Sequence, residues 1–584
     1  MKENVPPFES YTFLQWQQLL ESTLKGKTLN DLNTMTYEGI TLQPLYTERP
    51  AASDQHPSRW WSLTNQWHVA QQIKADSVEA AVKQTEIELS KGSDVIAVKE
   101  DGNGSWSKGQ LESLLSLQKK PHLFVINQPI TKKWMPFLID FKNQHDVQGV
   151  FGYDFISGEA AKGQMTSPGE LEQWVADLNE LSHAHPSLQT VVISTVPYHH
   201  AGANAVQELA LSLAEAAWMI NHLAQEGWQV EDIVPKMHIQ FATGSAFFLE
   251  IAKIRAFRAL WSHFIDCYAV GDLPVSIGSE SSPFTKTVQD PHVNILRAGN
   301  EAFAAALGGV NYQHVEPYSS SYETPSPLAV RIARNIQLIL KEETFLKGIA
   351  DPGGGSYFIE SLTKQLADAA WDCFIEIEEM GGVQEALSSG WIQQSIDHVW
   401  SQRKHDNAVR KTTIVGTNRY APIEKIPMPE TQNTSLETAI MPLPIRRNGE
   451  DWEALVGDLQ QKADLPPVDL ICLGKLKEYK PRMDFVQGVL NTIGIKSTNR
   501  QSAGSSPVQI ICGTDEAYAA VENLLQSKKS SQSFYVAGKA SNEQMEKWRN
   551  AGLNDSVYEG KDLIEFLKVI VKQLEEVSSN ETGI

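Results

Sequence analysis

The chain has 584 residues, which is too long for one ordinary domain. Of these residues 41% are hydrophobic and 21% charged, which is the composition of a folded globular protein. Its formal net charge of −21 argues against a nucleic-acid-binding protein, because phosphate contacts need clustered Lys and Arg. No segment approaches the roughly 20 apolar residues of a membrane helix, and the N-terminus lacks the apolar core of a secretory signal. These features predict a cytoplasmic protein that binds no membrane.

The four cysteines, Cys267, Cys373, Cys472 and Cys512, lie far apart and form no CxxC pair. This spacing indicates neither a zinc site nor a disulfide framework. We therefore expect buried free thiols in a reducing compartment.

The first part of the chain predicts an arm followed by a large α/β domain. Residues 1–45 form the arm, with one amphipathic helix at Phe13–Leu24. From 46 to 400, apolar runs typical of buried parallel strands alternate with helical patterns, of which 205–227 and 245–266 are the clearest. The runs are at 94–100, 122–128, 147–155, 190–195 and 237–244. This repetition favours a (β/α)8 TIM-type barrel over an open doubly wound sheet.

The remainder of the chain predicts a linker and a smaller domain. Residues 401–465 contain scattered prolines and weak periodicity, as expected for a linker that crosses a surface. Residues 466–584 return to alternation, with apolar runs "VDLICLG", "VQIICG" and "SFYVAG" separated by helical patterns. This second α/β domain is compatible with a flavodoxin-like sheet.

Several long motifs in this order are similar to those of the methylmalonyl-CoA mutase family. They are "YEGITLQPLYTERP" (37–50), "FFLEIAKIRAFRALW" (247–261), "RIARNIQLILKEE" (331–343), "DPGGGSYFIESLT" (351–363) and "IEEMGGVQEAL" (377–387). The resemblance implies a CoA-ester-binding barrel followed by a cobalamin-binding domain. It also implies the radical interconversion of (R)-methylmalonyl-CoA and succinyl-CoA, with adenosylcobalamin as the radical source.

The cobalamin motif of that family, Asp-x-His-x-x-Gly, is absent from this chain. In the family, its His is the lower axial ligand of cobalt and its Asp orients the imidazole. Counting from Gly474, Leu476 stands for the Asp, Glu478 for the His and Pro481 for the Gly, and no His occurs after His405. Two further elements that line the nucleotide tail in the family are also missing, at 511–516 and 535–540. We expect a degenerate cobalamin-binding domain with no cofactor-binding residues and no metal ligands.

The substrate motif of the family, Gly-Tyr-His-Met-Gln-Glu-Ala-Gly-Ala, is changed as well. Alignment on "AGA" (201–203) places Thr195 on the Gly, Val196 on the Tyr that drives radical formation, and Pro197 on the His that binds the thioester. The adjacent His199 and His200 fall on the Gln and Glu, after a proline that redirects the backbone. We expect both to be capping or packing groups of the next helix, and no catalytic residue here.

Other contact positions of the family differ too. The stretch at 59–73 lacks the family's catalytic Tyr and basic contacts, and 167–189 has no Arg to pair with a substrate carboxylate. Lys236 matches an Arg that contacts CoA phosphate in the family, but a solvated surface charge is the simpler interpretation, and Gln240 replaces an aromatic residue.

A retained scaffold without its chemistry resembles the small (beta) subunit of the heterodimeric bacterial enzyme. The resemblance implies a large (alpha) subunit as the partner, which would hold adenosylcobalamin and substrate, with residues 37–46 of the arm contributing to the interface. Two alternatives are a mutase acting on another CoA ester and a free-standing binding or chaperone-like protein. The absence of His after residue 405 argues against the first, and a stable equimolar partner would distinguish the second.

Overall fold

A computed structural model describes residues 11–47, 65–74, 77–99, 106–422, 438–460 and 465–581. The strands are β1 (Thr34–Met35), β2 (Thr41–Leu42), β3 (His68–Val69), β4 (Ile73–Lys74), β5 (Val98–Lys99), β6 (His122–Ile126), β7 (Gln148–Gly152), β8 (Leu188–Gln189), β9 (Val191–Ser194), β10 (Met237–Thr243), β11 (Ser276–Ser281), β12 (Tyr312–His314), β13 (Val468–Cys472), β14 (Ser497–Arg500), β15 (Val508–Cys512), β16 (Ser533–Ala537) and β17 (Asp555–Val557).

The helices carry most of the packing around these strands. They are α1 (Phe13–Thr23), α2 (Val78–Ser90), α3 (Lys108–Leu115), α4 (Pro129–Asp140), α5 (Phe155–Lys162), α6 (Pro168–Ala184), α7 (Val196–His200), α8 (Ala205–Gln225), α9 (Val230–Ile233), α10 (Phe247–Asp266), α11 (Val293–Gly308), α12 (Pro327–Glu342), α13 (Tyr357–Glu379), α14 (Val383–Ser388), α15 (Trp391–Ala408), α16 (Glu450–Gln460), α17 (Leu476–Asn491), α18 (Val521–Gln526), α19 (Asn542–Asn550) and α20 (Leu563–Glu581).

Parallel pairing connects the strands from β3 to β12. Strands β9, β10, β11, β12 and β3 form one parallel sheet in this spatial order. In it, Tyr312 of β12 pairs with His68 of β3. Strands β6, β7 and β8 form another, and β8 leads directly into β9. Backbone hydrogen bonds from Asp94 to Val69 (3.1 Å) and from Ile96 to His122 (2.7 Å) join the segment before β5 to β3 and β6. The predicted α/β class with parallel sheets is confirmed.

Local sequence signals explain the long helices that surround these strands. Helix α8 begins after Asn204, which accepts a hydrogen bond from the backbone of Gln207 (2.9 Å), and its chain turns at Gly227. The helices predicted at 205–227 and 245–266 are confirmed as α8 and α10, and the one at Phe13–Leu24 as α1. Of the five predicted strand runs in this part of the chain, four became strands of four to seven residues, whereas only Val98–Lys99 of the run at 94–100 is a strand.

The C-terminal strands form a five-stranded parallel sheet in the order β14-β13-β15-β16-β17. Its apolar core, built around Leu470, Val486, Ile510 and Leu567, is distinct from the core around the first set of strands. Hydrogen bonds cross between the two parts: Gln289 donates to the carbonyl of Thr492 (2.7 Å) and Arg410 to that of Gly488 (3.1 Å).

One expectation from the sequence needs correction. The cysteines are free, but Cys267 is exposed and Cys373 is half-buried, so only Cys472 and Cys512 match the expectation of buried thiols. The segment 401–465 includes the end of α15 and the whole of α16, and Trp452 and Leu455 of α16 are buried. In the part of the chain that the structure describes, none of the helices combines the length and the apolar run that a bilayer span requires.

Candidate functional site

The carboxyl end of β9 carries Thr195, Val196 and Pro197, the positions that align with the family's substrate motif. Thr195 is fully buried and donates its hydroxyl to Oε2 of Glu208 (3.1 Å). Val196 and Pro197 form the first turn of the short helix α7 and are half-buried. Their aliphatic side chains offer neither a phenol nor an imidazole at this strand end.

The side chain of His199 lies inside a buried polar network. Its Nδ1 is 2.9 Å from Oε1 of Glu208, and its Nε2 is 2.7 Å from Oγ of Ser282. Both ring nitrogens are therefore used by neighbouring side chains. Of the two roles predicted for this residue, capping or packing, the structure supports packing: Asn204 caps α8, whereas His199 is buried against Glu208 of the same helix.

Helix α10 adds a buried cation to this network. Nζ of Lys253 lies 3.2 Å from Oε1 of Glu208 and 2.7 Å from Oε2 of Glu250, and it donates to the carbonyl of Ala242 (2.7 Å). Burial acts to lower the pKa of Lys253, but the two carboxylates outweigh it and raise that pKa. Burial likewise acts to raise the pKa of Glu208, but Lys253 and His199 hold it below its usual value. The ammonium is therefore retained, and two carboxylates share it.

His200 points to a different neighbour from His199. Its Nε2 lies 3.9 Å from Oε1 of Glu280 on β11, too far for a hydrogen bond. Burial, with His199 nearby, lowers the pKa of His200 to about 3, so the imidazole is neutral at physiological pH. Burial also raises the pKa of Glu280. The adjacent histidines thus belong to separate environments and do not chelate one ligand together.

Aromatic and polar side chains of the strands from β3 to β12 contact one another in the interior. The rings of Phe124 and Tyr312 stack at 5.1 Å, and His238 lies 5.7 Å from each of them. Oε1 of Gln240 accepts a hydrogen bond from Nε2 of His238 (3.2 Å). A Cβ on Gly278 would lie 2.0 Å from Oε1 of Gln240, so only glycine leaves room for this pair.

Lys236 and the stretch 59–73 are the two other positions that the sequence singled out. Lys236 donates to the carbonyls of Pro186 (2.6 Å) and Leu188 (3.4 Å), and burial lowers its pKa. The Lys236 side chain is half-buried, and its ammonium is held by these two backbone carbonyls. In the stretch 59–73, residues 59–64 lie outside the described residues, and the rest includes Trp67, which is buried.

The C-terminal sheet presents its carboxyl edge where the family's cobalamin motif would lie. Helix α17 begins at Leu476, directly after the turn at Gly474. Glu478 accepts a hydrogen bond from the backbone of Lys475 (2.9 Å) and so caps this helix, while Leu476 is largely exposed. Pro481 lies inside α17. Glu478 is thus engaged by its own helix and offers no nitrogen ligand.

Two side chains cross the same edge of the sheet. Arg482 donates to the carbonyl of Gly513 (2.7 Å) and its guanidinium lies 4.9 Å from the ring centre of Tyr518. The Tyr518 hydroxyl donates to the carbonyl of Ala537 at the end of β16. A Cβ on Gly538 would meet Cζ of Arg482 at 2.9 Å. These contacts lie at the carboxyl edge beside β13 and β15, where ligands bind in parallel sheets of this kind. None of these side chains has an imidazole, so they do not supply the histidine ligand that the family's cobalamin motif provides.

Sequence reasoning missed the acidic and basic groups around His199. Glu208, Glu250 and Lys253 are buried, yet they stand in strongly apolar helices. Charged residues on the buried face of a helix are rare unless they are paired. The three charged positions within apolar helical patterns could therefore have predicted a buried ion-pair network. Among the described residues, no group of three His, Cys, Asp or Glu side chains is arranged to hold a metal ion.

Comparison with known proteins identifies relatives across the chain. The family described as methylmalonyl-CoA mutase matches residues 140–471, more than half of the chain. A methylmalonyl-CoA mutase small subunit of Porphyromonas gingivalis is 27% identical over 86% of this chain and 88% of its own length. A small subunit of the same name from Streptomyces virginiae is 31% identical over 64% of this chain and 63% of its own length. A methylmalonyl-CoA mutase of Cereibacter sphaeroides is 30% identical over 69% of this chain and 64% of its own length.

Proposed function

Because the chain belongs to the methylmalonyl-CoA mutase family, we propose that it is a non-catalytic small subunit of a heterodimeric mutase. In this proposal a large subunit holds adenosylcobalamin and interconverts (R)-methylmalonyl-CoA and succinyl-CoA. The present chain supports the assembly and stability of that partner and binds no cofactor itself. Alone, it has no isomerase activity.

The proposal includes the architecture of the chain. Residues 46–400 form a (β/α)8 barrel, because β12 pairs back onto β3 and parallel backbone bonds join the strands between them. Residues 466–584 form a flavodoxin-like domain, because the strand order β14-β13-β15-β16-β17 corresponds to 2-1-3-4-5. The intervening 401–465 connects the two.

The crevice of the C-terminal sheet is the observation that carries the non-catalytic role. Cobalt ligation by this domain requires a nitrogen donor and an open edge, and the domain offers neither: no His follows residue 405, and Arg482 and Tyr518 span the edge. The barrel side supports the same conclusion, since Val196 and Pro197 stand where catalytic members have a Tyr and a His, and Phe124 and Tyr312 fill the interior.

Helix α1 is the surface we assign to the partner. None of its residues is buried, although Phe13, Leu14 and Leu19 are apolar. The later part of the arm packs on its own chain instead: Ile40 is buried, and the carbonyl of Tyr37 accepts from Asn204 (2.8 Å). We therefore place the centre of the interface at α1, and residues 37–46 contribute through their exposed part at 43–45. Stable obligate interfaces bury roughly 2,000 Å² or more, which an apolar helix seated in a partner groove would help supply.

Co-expression with the large relative from the same organism tests the proposal. We expect an equimolar complex by size-exclusion chromatography with light scattering, with mutase activity only when the partner is present. Replacing Phe13 and Leu19 by Ser should weaken the complex about tenfold or more, because burial of two large apolar side chains is lost. The control is a double variant, Leu476→Ser with Val569→Ser, which alters similarly exposed apolar residues outside α1. This control should leave the complex intact. Failure to form any complex would overturn the proposal.

A further inference from the structure

A cavity of about 460 Å³ lies between the arm, the start of α10 and the start of α13. The arm closes one side through residues 34–42, and Gly244 to Ala246 form the opposite side with the first turn of α10. This volume is in the range of small-molecule sites, which are mostly apolar with a few placed polar groups. It plays no part in the proposed small-subunit role.

The walls of the cavity are mainly aromatic and aliphatic. Phe247, Phe284, Phe358 and Leu362 contribute to them. Arg403 is the one guanidinium of the lining, and it is already stacked on the rings of Tyr37 (4.4 Å) and Phe284 (5.7 Å). The apolar part of a small molecule could therefore contact these aromatic rings while Arg403 stays stacked on Tyr37 and Phe284.

The floor of the cavity is acidic. Glu208 and Glu250 both line it, and a third carboxylate, Glu38, lies at the side of the arm. Glu208 is saturated, since it accepts from Thr195, His199 and Lys253. Glu250 is different: its Oε2 lies 2.7 Å from Nζ of Lys253 but accepts no hydrogen bond, and among the described residues no hydrogen bond is formed to its Oε1. That oxygen would lie 3.1 Å from a Cβ on Gly244, so it is directed at the open floor.

We propose that this cavity binds a small molecule with a primary ammonium group on an apolar body, and that Oε1 of Glu250 accepts from the ammonium. Among the described residues, the lining carries three carboxylates, and the guanidinium of Arg403 with the ammonium of Lys253 behind the floor leaves one negative charge in excess. A cation therefore gains a charge-assisted hydrogen bond at Glu250, whereas an anion would meet uncompensated negative charge. Aromatic walls near an ammonium add a favourable cation–π contribution.

Three probes of similar shape test the charge preference on the full-length chain by titration calorimetry. They are 2-phenylethylamine, 2-phenylethanol and 3-phenylpropionate. We expect the amine to bind about tenfold more tightly than the alcohol, because a hydrogen bond to a charged acceptor gains most from a charged donor. The carboxylate should bind most weakly. Equal affinities for the amine and the carboxylate, or no binding of the amine at millimolar concentration, would overturn the proposal.

Two substitutions locate the binding. Glu250→Gln should lower the affinity for the amine to that for the alcohol and leave the alcohol within about twofold, because only the charge of the acceptor changes. Gly244→Ala should weaken both probes, since its methyl group occupies the floor beside Glu250 and His199. Gly244 has no positive φ, so the backbone accepts alanine without strain.

Matched variants control for unrelated effects. Glu546→Gln changes an exposed carboxylate, and Gly299→Ala adds a methyl group that meets nothing within 4 Å. Both should bind the probes like the unchanged chain. If Glu250→Gln does not fold, Gly244→Ala and the three probes decide the question. Retention of the amine preference in folded Glu250→Gln would place the ammonium elsewhere and contradict the proposal.

Discussion

The ammonium of Lys253 lies 3.2 Å from Oε1 of Glu208, and both side chains are buried from solvent. The two residues come from neighbouring helices, α10 and α8, which meet beside the carboxyl ends of β9 and β10. Glu250 completes the group from one turn earlier on α10. A buried cation with two carboxylates thus fixes the position of both helices against the strand ends.

Replacing Lys253 by Met tests the energetic role of this group. The substitution leaves two buried carboxylates without their shared cation, so we expect the free energy of unfolding to fall by about 3–5 kcal/mol. Urea denaturation followed by circular dichroism measures the change. Lys364→Met, which removes an exposed ion pair with Asp368, is the control and should change stability by less than about 1 kcal/mol. Equal effects of the two substitutions would contradict the prediction.

A second buried pair gives a pH dependence of stability. Burial, together with Asp154 beside it, raises the pKa of Glu215 well above its usual value, and the Tyr198 hydroxyl donates to it. The folded chain thus keeps a proton that the unfolded chain loses near pH 4.3. This contribution to stability is complete below that pH and declines as the pH rises, by about 1.4 kcal/mol per unit while the proton is retained.

Glu215→Gln should remove this decline, because an amide does not titrate and can still donate a hydrogen bond to Asp154. The stability of the variant relative to the unchanged chain should therefore increase as the pH rises above about 4.3, by at most about 1.4 kcal/mol per pH unit while Glu215 of the unchanged chain keeps its proton. Urea denaturation at several pH values measures it. Glu112→Gln, at an exposed position, should show no such trend. Parallel pH profiles for Glu215→Gln and the unchanged chain would be evidence against a retained proton.

The third prediction concerns cobalamin. Glu478→His should not create a binding site, because Leu476 cannot orient an imidazole and Arg482 with Tyr518 still fills the edge of the sheet. Addition of adenosylcobalamin should produce no change from a base-off to a histidine-ligated spectrum, for the variant or for the unchanged chain. Mutase turnover without a partner should stay at the cofactor-free background. A stoichiometric complex at micromolar cofactor, or turnover above background, would require the small-subunit proposal to be abandoned.

A fourth prediction addresses the filled interior. Gly278→Ala places a methyl group 2.0 Å from Oε1 of Gln240 and 2.6 Å from Nε2 of His238, so it should destabilise the chain by about 1–3 kcal/mol through overpacking. Gly299→Ala is the matched control and should be close to neutral. Adding Gln240→Ala to Gly278→Ala should recover part of the loss, since the crowded amide is removed. Additive losses in the double variant would show that crowding is not the cause.

The sequence alone predicted the elements whose pattern is strong. Four buried strands and two long helices of the N-terminal region, and the strands β13, β15 and β16, were visible because apolar runs and helical periodicity report burial directly. Strand β11 was missed because "SIGSES" is made of small polar residues that are typical of a loop. Its residues are buried because they pair with β10 and β12, and that pairing is a property of the assembled sheet.

The absence of a histidine after residue 405 was likewise readable without coordinates, because a missing ligand type cannot be restored by folding. The environment of His199 was not readable. Its partners are Glu208 and Ser282, the second 83 residues further along the chain, and Lys253 reaches the same carboxylate across 45 residues. Local propensity describes only neighbours in sequence, whereas a buried charge is tolerated only by groups that tertiary packing brings within hydrogen-bond distance. The acidic floor of the cavity beside Glu250 likewise depends on tertiary packing.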